Sequence, residues 1–385
     1  MHILDAVKNA GRPKVRYAVV GLGDISQEAM LPGIEPTGNS EVVAFVTSDR
    51  AKAEHVGKQY GVTAFYDDAE YGALLRSGTI DAVYVAMPNW RHAEFAIPAL
   101  EAGIHVLVEK PFEVSSERGR AIVAAQRASS AKLMVAYRLH FEPATLDLIR
   151  TIRSGEVGDV NIFTCTFAQV LDPENSRALN GELAGPVADM APYPINASRY
   201  VFEDEPTTVV SAIATRHPDS GFPDLDDTVA VTLLFPRGRI AQFTISYYAS
   251  AIDSFCALGT KGSIVMSPSF LYGAPLEREM SIGQKKSHKA YKNTDHFGDE
   301  LKYFSDCILN GRDPEPDGEE GMADLRVIDG IFEALKTGAS VTLPPFERKK
   351  RIDPDAQEET LPAHASPELV GVSNPGRGIE KIPKN

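Results

Sequence analysis

The feature that most constrains this chain is a regular alternation of short β-branched runs with longer amphipathic stretches, from residue 15 to about residue 139. The runs are typical of buried strands, and the stretches between them carry apolar residues at helical spacing. This pattern predicts a doubly wound parallel sheet. The predicted strand ends that face its ligand crevice are Gly21, Met87, Lys110 and Arg138.

The first predicted strand ends in GLGDIS at residues 21–26. Gly21 and Gly23 permit a tight strand-to-helix turn and a close approach of the backbone to a pyrophosphate at the helix N-terminus. The third small residue is Ser26 rather than glycine, which still allows close helix packing. The alternative for this motif alone is a plain glycine turn, but its place in a βαβ unit favours a dinucleotide.

The second predicted strand runs into AFVTSDRAK and indicates which dinucleotide is preferred. An NAD site places an acidic residue at this strand end, but here the position holds Thr47. Ser48, Arg50 and Lys52 follow and offer a hydroxyl and two cations to a 2′-phosphate. We therefore expect NADP, with NAD less favoured. The alternatives are that the two cations only begin a solvated helix, and that Asp49 serves NAD.

Residues 109–111 read EKP and end the fifth predicted strand, where a nicotinamide would lie. A lysine at a buried strand end next to a proline has little structural purpose, so Lys110 is predicted to be functional. The glycine turn and this lysine lie at the correct ends of strands in one βαβ series. Together they indicate a dinucleotide-dependent oxidoreductase.

The pattern changes after residue 142, and 385 residues exceed what one hydrophobic core usually serves. Longer strands with hairpin-type connections predict a mostly antiparallel sheet with helices on one face, on which two late helices pack back. The expected divisions are an N-terminal arm (1–14), a dinucleotide-binding domain (15–140), a substrate-binding and oligomerisation domain (141–343) and a proline-rich tail (344–385), extended or disordered.

Composition argues against several classes of protein. A net charge of -14 repels phosphate backbones and anionic lipids, so nucleic acid and membrane are poor partners. Cys165, Cys256 and Cys307 show neither a disulfide framework nor zinc spacing, and the aspartates at 223–227 lack calcium-loop spacing, so no metal is expected. Neither a leader nor a membrane span is evident, and we expect a cytoplasmic protein.

From residue 16 to about residue 342 the chain resembles the Gfo/Idh/MocA oxidoreductase family. The motifs that carry the resemblance are GLGDIS, MPN at 87–89, EKP, YRLHFEP at 137–143, Asp189 with Tyr193, and GEEGMADLR at 318–326. The segment GELAG at 181–185, a tyrosine where many relatives have histidine, and the GEEGM helix start place it near the glucose-fructose oxidoreductase branch.

The resemblance implies an α/β fold with an N-terminal Rossmann domain, whose doubly wound parallel sheet binds the dinucleotide, and a C-terminal α/β domain with a large open, mostly antiparallel sheet. It also implies sugar substrates. In this branch a tightly held NADP oxidises an aldose at C1 to a lactone while a second sugar is reduced. The motifs and the resemblance together give this cofactor-binding set: Gly21, Gly23, Asp24, Ile25, Ser48, Arg50, Lys52, Met87, Pro88, Asn89, His92, Glu109, Lys110 and Arg138.

The resemblance implies that Lys110, Asp189 and Tyr193 form the catalytic group, with Arg138 and His140 as further substrate contacts. Oxidising an alcohol needs a base for the hydroxyl proton, and Tyr193 is the predicted base. An ammonium about 4 Å away would stabilise its phenolate by about 4 kcal/mol at an effective dielectric near 20. The i, i+4 spacing of Asp189 and Tyr193 predicts that both lie on one helical face. The alternatives are a helix cap and a core tyrosine.

The expected function is therefore NADP-dependent oxidation of aldoses. It includes a second step in which the hydride can return to another sugar. The segment before Asp189 is shortened to GPVA at 185–188, which leaves the shape of the substrate open. The alternatives are a dehydrogenase or reductase of inositols, keto-sugars or anhydro-sugars, and a non-catalytic NADP-binding sensor. An open sheet with an uncovered apolar face predicts a homodimer or homotetramer.

Overall fold

A computed structural model of the protein describes residues 13–175, 177–179, 185–222, 224–348 and 350–372. Three expectations from the sequence fall outside the described residues. They concern the N-terminal arm through residue 12, the GELAG segment at 181–184 and the tail beyond residue 372.

The first half of the chain forms a six-stranded parallel sheet. Its strands β1 to β6 are Val15–Val20, Ser40–Val46, Ala64–Tyr66, Ala82–Val85, His105–Glu109 and Leu133–Ala136. Their order is β3-β2-β1-β4-β5-β6, with every neighbouring pair parallel. This is the strand order of the dinucleotide-binding Rossmann fold, so the predicted strands and fold class are confirmed.

Helices connect these strands. They are α1 (Leu31–Thr37), which continues from a π-helical turn at Ser26–Met30, and then α2 (Arg50–Tyr60), α3 (Tyr71–Leu75), α4 (His92–Glu101) and α5 (Ser116–Arg127). The side chains of Asp49 and Ser115 cap α2 and α5 by accepting hydrogen bonds from the first-turn amides. Asp49, the alternative NAD ligand, thus serves as a helix cap.

The second half forms a nine-stranded sheet in the order β14-β13-β12-β11-β7-β10-β9-β8-β15. The strands are β7 (Val160–Val170), β8 (Thr208–Thr215), β9 (Thr228–Leu234), β10 (Ile240–Ser246), β11 (Tyr248–Gly259), β12 (Gly262–Met266), β13 (Glu277–Ile282), β14 (Lys285–Ala290) and β15 (Val341–Thr342). Among these described strands, β7 and β10 are the one parallel pair, so the sheet is mostly antiparallel as predicted.

One predicted strand is wrong in extent. The run at residues 240–249 is divided into β10 and β11 at Tyr247, which is completely buried. The Tyr247 amide donates to Asp227 and its carbonyl accepts from Leu171, outside the ladder of either strand. The break turns the Tyr247 side chain inward.

The helices of this half are α6 (Pro143–Arg153), α7 (Pro186–Asp189), α8 (Pro192–Phe202), α9 (His296–Leu309), α10 (Gly318–Thr337) and α11 (Pro354–Gln357). The expectation that both late helices pack on the second sheet is wrong for α9. This helix packs against α1 of the first domain, because Gly33 and Gly298 let the backbones approach: a Cβ added to Gly33 would lie 3.0 Å from the Gly298 nitrogen.

The second sheet carries an apolar row on its outward face. Ile162 lies between Ile240 and Leu258 in the strand register, and all three side chains are exposed. Within the described ranges, no helix has the length and apolar character needed to span a membrane.

Candidate active site

A cavity of about 900 Å³ lies between the two domains, at the carboxyl ends of the parallel strands. This is where a doubly wound sheet binds its ligand. Most of the predicted site residues line it: Gly21, Gly23, Asp24, Ile25, Lys52, Met87, Pro88, Asn89, His92, Glu109, Lys110, Arg138, Asp189 and Tyr193. The structure does not bring Ser48, Arg50 or His140 to its wall.

The glycine turn has the geometry that a dinucleotide requires. Gly21 has a φ of +94°, and a Cβ there would lie 2.6 Å from the Ala86 carbonyl oxygen, so only glycine fits. A Cβ on Gly23 would meet no atom within 4 Å, which leaves room above the turn. The Ser26 hydroxyl donates to the Gly21 carbonyl at 2.7 Å, so serine closes the turn in place of a third glycine.

Only one of the two cations predicted for the 2′-phosphate faces the cavity. Lys52 lines it together with Thr47. Arg50 lies instead on the outer side of α2, where its guanidinium donates to Glu54 and to the Phe65 carbonyl and covers the Phe65 ring at 4.8 Å. Residues two positions apart in a helix face different directions, which is why the structure separates the two side chains.

Asp189 is the centre of a charged cluster at the other end of the cavity. Its Oδ1 accepts from the Lys110 Nζ at 3.3 Å. Its Oδ2 accepts from Arg177 at 3.1 Å and from the Tyr247 hydroxyl at 2.9 Å. The Lys110 Nζ also lies 4.9 Å from the centre of the Tyr193 ring. The three predicted catalytic side chains are therefore adjacent.

Asp189 and Tyr193 do not share one helix, contrary to the expectation from their spacing. Asp189 is the last residue of α7, and Pro192 begins α8. Proline suits the first position of a helix, where its missing amide proton has no partner to lose. Both side chains still reach Lys110 because the two short helices follow each other directly.

The cluster stays charged at neutral pH. Burial raises the pKa of Asp189, but Arg177, Lys110 and the Tyr247 hydroxyl lower it more, to about 2. Burial lowers the pKa of Lys110, but Tyr193, Asp189 and Glu109 raise it above its usual value. Asp189 is therefore a carboxylate that holds a lysine ammonium, and neither group is suited to take a proton from a substrate.

Glu109 lies beside Lys110 at the end of β5. Its Oε1 accepts from the Tyr84 hydroxyl at 2.5 Å, and the residue is 8% exposed. Burial raises the pKa of this carboxyl, while Tyr84 and Lys110 lower it by less. The bond from Tyr84 fixes the orientation of the Glu109 carboxyl group. Glu109 can therefore accept a hydrogen bond from a ligand hydroxyl in the cavity.

Arg138 follows β6 in a 3₁₀ turn and lies against the Tyr193 side chain. Its Nη2 is 3.5 Å from the Tyr193 hydroxyl, and its guanidinium lies 5.5 Å from the centre of that ring. Its Nη1 is 3.1 Å from His296 Nδ1. Burial and the Arg138 charge lower the pKa of His296, so that ring is neutral and Nδ1 can accept the hydrogen bond.

Two predicted histidines are held by the protein itself. His140 is 1% exposed, lies 2.8 Å from Asn196 Oδ1 and stacks on Tyr137, behind the cavity wall. The turn that directs Arg138 into the cavity directs His140 away from it. His92 lies 2.9 Å from the Met87 carbonyl oxygen and supports the loop that carries Pro88 and Asn89.

The sequence did not reveal Arg177 and Tyr247, the two further donors to Asp189. Arg177 lies in a connection after β7, and Tyr247 lies at the break between β10 and β11. Neither position belongs to a motif, since both reach the site only through tertiary folding. The one available signal was the pair of tyrosines at the end of the β10 pattern, of which Tyr247 is buried and Tyr248 is exposed.

Sequence profiles of two domains match the chain. Residues 15–137 match the oxidoreductase family with an NAD-binding Rossmann fold, and residues 145–265 match the GFO/IDH/MocA C-terminal domain.

Individual relatives cover most of the chain. D-xylose 1-dehydrogenase [NADP(+)] of Haloarcula marismortui is 31% identical over 342 residues, which is 86% of this chain and 93% of that protein. A dTDP-3,4-didehydro-2,6-dideoxy-alpha-D-glucose 3-reductase of Saccharopolyspora spinosa is also 31% identical over 342 residues, 86% of this chain and 100% of that protein. The crystal structure of aldose-aldose oxidoreductase from Caulobacter crescentus complexed with glycerol has a TM-score of 0.80 and 30% identity, and covers 86% of this chain and 100% of that chain. This chain belongs to the GFO/IDH/MocA oxidoreductase family.

Proposed function

We propose that this protein is an NADP-dependent sugar oxidoreductase that transfers hydride between C1 of an aldose and the nicotinamide, with a lactone as the oxidised product. The observation that carries the proposal is the Lys110 ammonium, held by Asp189 beside Tyr193 in the cavity that the glycine turn also lines. Relatives named as an NADP-dependent xylose dehydrogenase and an aldose-aldose oxidoreductase support the same substrate class.

The residues present fit a dinucleotide. A Cβ on Gly23 would meet no atom within 4 Å, so the backbone of the turn is open to a pyrophosphate there. Gly21 allows the turn itself to pass close to Ala86. Lys52 is the cation for a 2′-phosphate, and Pro88, Asn89 and Glu109 line the part of the cavity next to Lys110. When bound there, NADP supplies the ring carbon that accepts or gives the hydride.

The protein's own residues handle the proton. In the oxidative direction Tyr193 acts as a phenolate: its oxygen takes the proton of the sugar hydroxyl and becomes the phenol, while hydride leaves the carbon that bears that hydroxyl for the nicotinamide. Lys110 and Arg138 both lie next to Tyr193 and stabilise negative charge on that oxygen. Asp189 keeps the Lys110 ammonium at that position. Reduction follows the reverse path, with Tyr193 returning the proton.

Steady-state kinetics with a panel of sugars tests this function. D-xylose and D-glucose with NADP should give reduced nicotinamide and a lactone that hydroxylamine traps, and NAD should be the poorer cofactor. Turnover of inositols, keto-sugars or anhydro-sugars, with none of aldoses, would replace the aldose with the alternative substrate class. NADP binding without turnover of any of these sugars would support the non-catalytic sensor.

We also propose that a second sugar can take the hydride back. The support is the cation pair around Tyr193, which serves proton donation as well as proton removal, and the relative named as an aldose-aldose oxidoreductase. Protein loaded with the reduced cofactor and then mixed with a second sugar should return to the oxidised form without free nucleotide. A requirement for free NADP in every cycle would contradict this part.

The exposed face of the second sheet supports a homodimer or homotetramer. Strands β7, β8, β10 and β11 present Ile162, Ile213, Ile240, Ile252 and Leu258 to solvent, and Ile213 is 65% exposed. Light scattering should give at least twice the 41.8 kDa chain mass, and Ile213→Lys should weaken the association because it buries a charge at the contact. A monomer at micromolar concentration would contradict the proposal.

A cytoplasmic location is also proposed. Cys165, Cys256 and Cys307 are free thiols, two of them buried, which suits a reducing compartment. Cell fractionation tests it.

A further inference from the structure

The segment of the tail at residues 361–372, here called the tail strap, lies along the cavity. Ala363, His364, Ser366, Gly371 and Val372 line the same space as the glycine turn and Lys52. The sequence predicted an extended or disordered tail and gave it no role. The two family profiles match residues 15–137 and 145–265, and neither includes this segment.

The first end of the tail strap is fixed at the start of α9. The Leu361 amide donates to Asp299 Oδ1 at 2.8 Å, and the Leu361 carbonyl accepts from the Asp295 amide at 2.9 Å. Pro362 forms an isolated antiparallel bridge with Thr294. Asp299 is completely buried, so this end is tied to the interior of the protein.

The second end is fixed to the glycine turn itself. The Val370 amide donates to Gln27 Oε1 at 2.8 Å, and Gln27 Nε2 donates to the Val370 carbonyl at 3.0 Å. Gln27 is 1% exposed, and its amide also donates to the Leu22 carbonyl within the turn. A buried amide side chain thus exchanges two hydrogen bonds with the backbone of the strap, as a neighbouring strand would.

The strap also contacts the cation at the nucleotide end. A Cβ added to Gly371 would lie 3.0 Å from the Lys52 Cε and 3.7 Å from its Nζ. The strap therefore passes directly over the residue that suits a 2′-phosphate. Since the cavity of about 900 Å³ remains beneath it, the strap bounds the nucleotide space and does not fill it.

We propose that the tail strap is the outer wall of the dinucleotide site, and that NADP leaves only after the hydrogen bonds between Gln27 and Val370 open. The strap is anchored on both sides of the site, Ala363, His364 and Ser366 between the anchors line the cavity, and Gly371 lies against Lys52. It therefore retains the cofactor between turnovers. This inference rests on the NADP binding proposed above and adds a binding element that lies outside both family domains.

The test uses the full chain with one backbone donor removed. Val370→Pro deletes the amide that donates to Gln27, and Glu368→Pro is the matched control, because the Glu368 amide makes no hydrogen bond within the described part of the chain. Bound NADPH is chased with excess NADP⁺, and its release is followed by fluorescence. Val370→Pro should speed release about tenfold, the factor expected when one or two ordinary hydrogen bonds are lost, while the control stays within about twofold.

Hydrogen exchange of the unaltered protein gives a second test that does not depend on a variant folding. NADP should slow exchange of the Leu361 and Val370 amides. Two results would contradict the proposed role of the strap without contradicting the oxidoreductase function. One is exchange of these amides that NADP does not change. The other is NADPH release from Val370→Pro within about twofold of the unaltered protein. Failure of the unaltered protein to bind NADP would overturn both.

Discussion

Two buried ionic clusters of this protein are built in opposite ways. The cluster around Asp189 borders the cavity, and its members Lys110, Asp189 and Arg177 keep 19%, 16% and 33% of their side chains exposed. The cluster around Arg199 is closed: the arginine is 1% exposed and its guanidinium donates to Glu205, Glu320 and Asp324 at 2.6 to 3.1 Å. Open access distinguishes a charge available to a ligand from one that holds helices together.

The closed cluster carries more acid than its central cation balances. Burial raises the pKa of Asp324, Arg199 lowers it and Glu320 raises it again, with a result of about 6. Burial also raises the pKa of Glu320, but Arg199 and Arg348 lower it far below its usual value. Arg199 therefore neutralises neighbours that would otherwise repel one another inside the protein.

The largest effect is expected from the open cluster. Lys110→Met removes the ammonium but keeps most of the side-chain volume, so turnover should fall about 10³-fold to 10⁴-fold, as expected for lost charge stabilisation and proton transfer. Kinetics with a saturating aldose measure this. The variant should still fold and still bind NADP, so the loss is read from turnover at saturating cofactor. Turnover within tenfold would show that Lys110 is not catalytic.

Breaking the closed cluster should lower the stability of the fold and leave turnover nearly unchanged. Arg199→Met leaves Glu205, Glu320 and Asp324 without their shared partner, and the free energy of unfolding should fall by about 3–5 kcal/mol. Denaturant titration measures the loss. Turnover per folded molecule should change by only a few-fold. A large loss of turnover with unchanged stability would break the distinction between the two clusters.

Arg177 tests whether Asp189 needs its second cation to position Lys110. Arg177→Met should lower the turnover number by about 10- to 100-fold, because small displacements of a catalytic group are costly. Arg177→Lys should restore part of the loss, since it returns one donor to Asp189. An equal loss in both variants, seen only in KM, would indicate that Arg177 binds the substrate and does not position Lys110.

Lys52 and Arg50 extend the comparison to two charges that lie two residues apart, with Arg50 exposed and Lys52 partly buried at the cavity. Lys52→Gln should weaken NADP about tenfold relative to NAD, because a charge-assisted contact with the 2′-phosphate is lost. Arg50→Gln should leave the preference unchanged, because Arg50 is held by Glu54 and the Phe65 carbonyl. Affinities of both variants for the two cofactors give the answer. Equal losses of NADP preference in the two variants would show that Arg50 also binds the 2′-phosphate.

The smallest effect concerns acid stability. The folded pKa of Asp189 is about 2, below its usual value of 3.8, so its contribution to stability is present above that usual value and is lost as pH falls toward the folded one. Between pH 5 and pH 3 the unaltered protein should lose about 1 kcal/mol that Asp189→Asn does not lose. Unfolding titrations at both pH values measure the difference. Parallel losses would mean that the carboxylate is not held as described.

The first sheet and its strand ends were predictable because local rules determine them. The βαβ pattern gave the strands, and Gly21, Gly23 and Lys110 lie at ends that the sheet order brings to one edge. Their placement needs only strand direction and a turn that excludes a Cβ. Short-range geometry was sufficient there.

Where the prediction depended on side-chain direction or distant contacts, it was incomplete. Arg50 and His140 lie in the expected elements but turn away from the cavity, since neighbouring residues of a turn or helix face different ways. Arg177, Tyr247 and Gln27 function through partners 12, 58 and 343 residues away in the chain, which leave no local pattern.

The most direct test of hydride transfer at Lys110 is a single turnover followed by the near-ultraviolet absorbance of reduced nicotinamide. NADP⁺-loaded protein is mixed with D-xylose or D-glucose, and Lys110→Met is run beside it. The reduced band should appear at once in the unaltered protein and be almost absent in the variant, although both bind the nucleotide. Equal bands in the two proteins, or no band in the unaltered protein with NADP⁺ bound, would contradict this prediction.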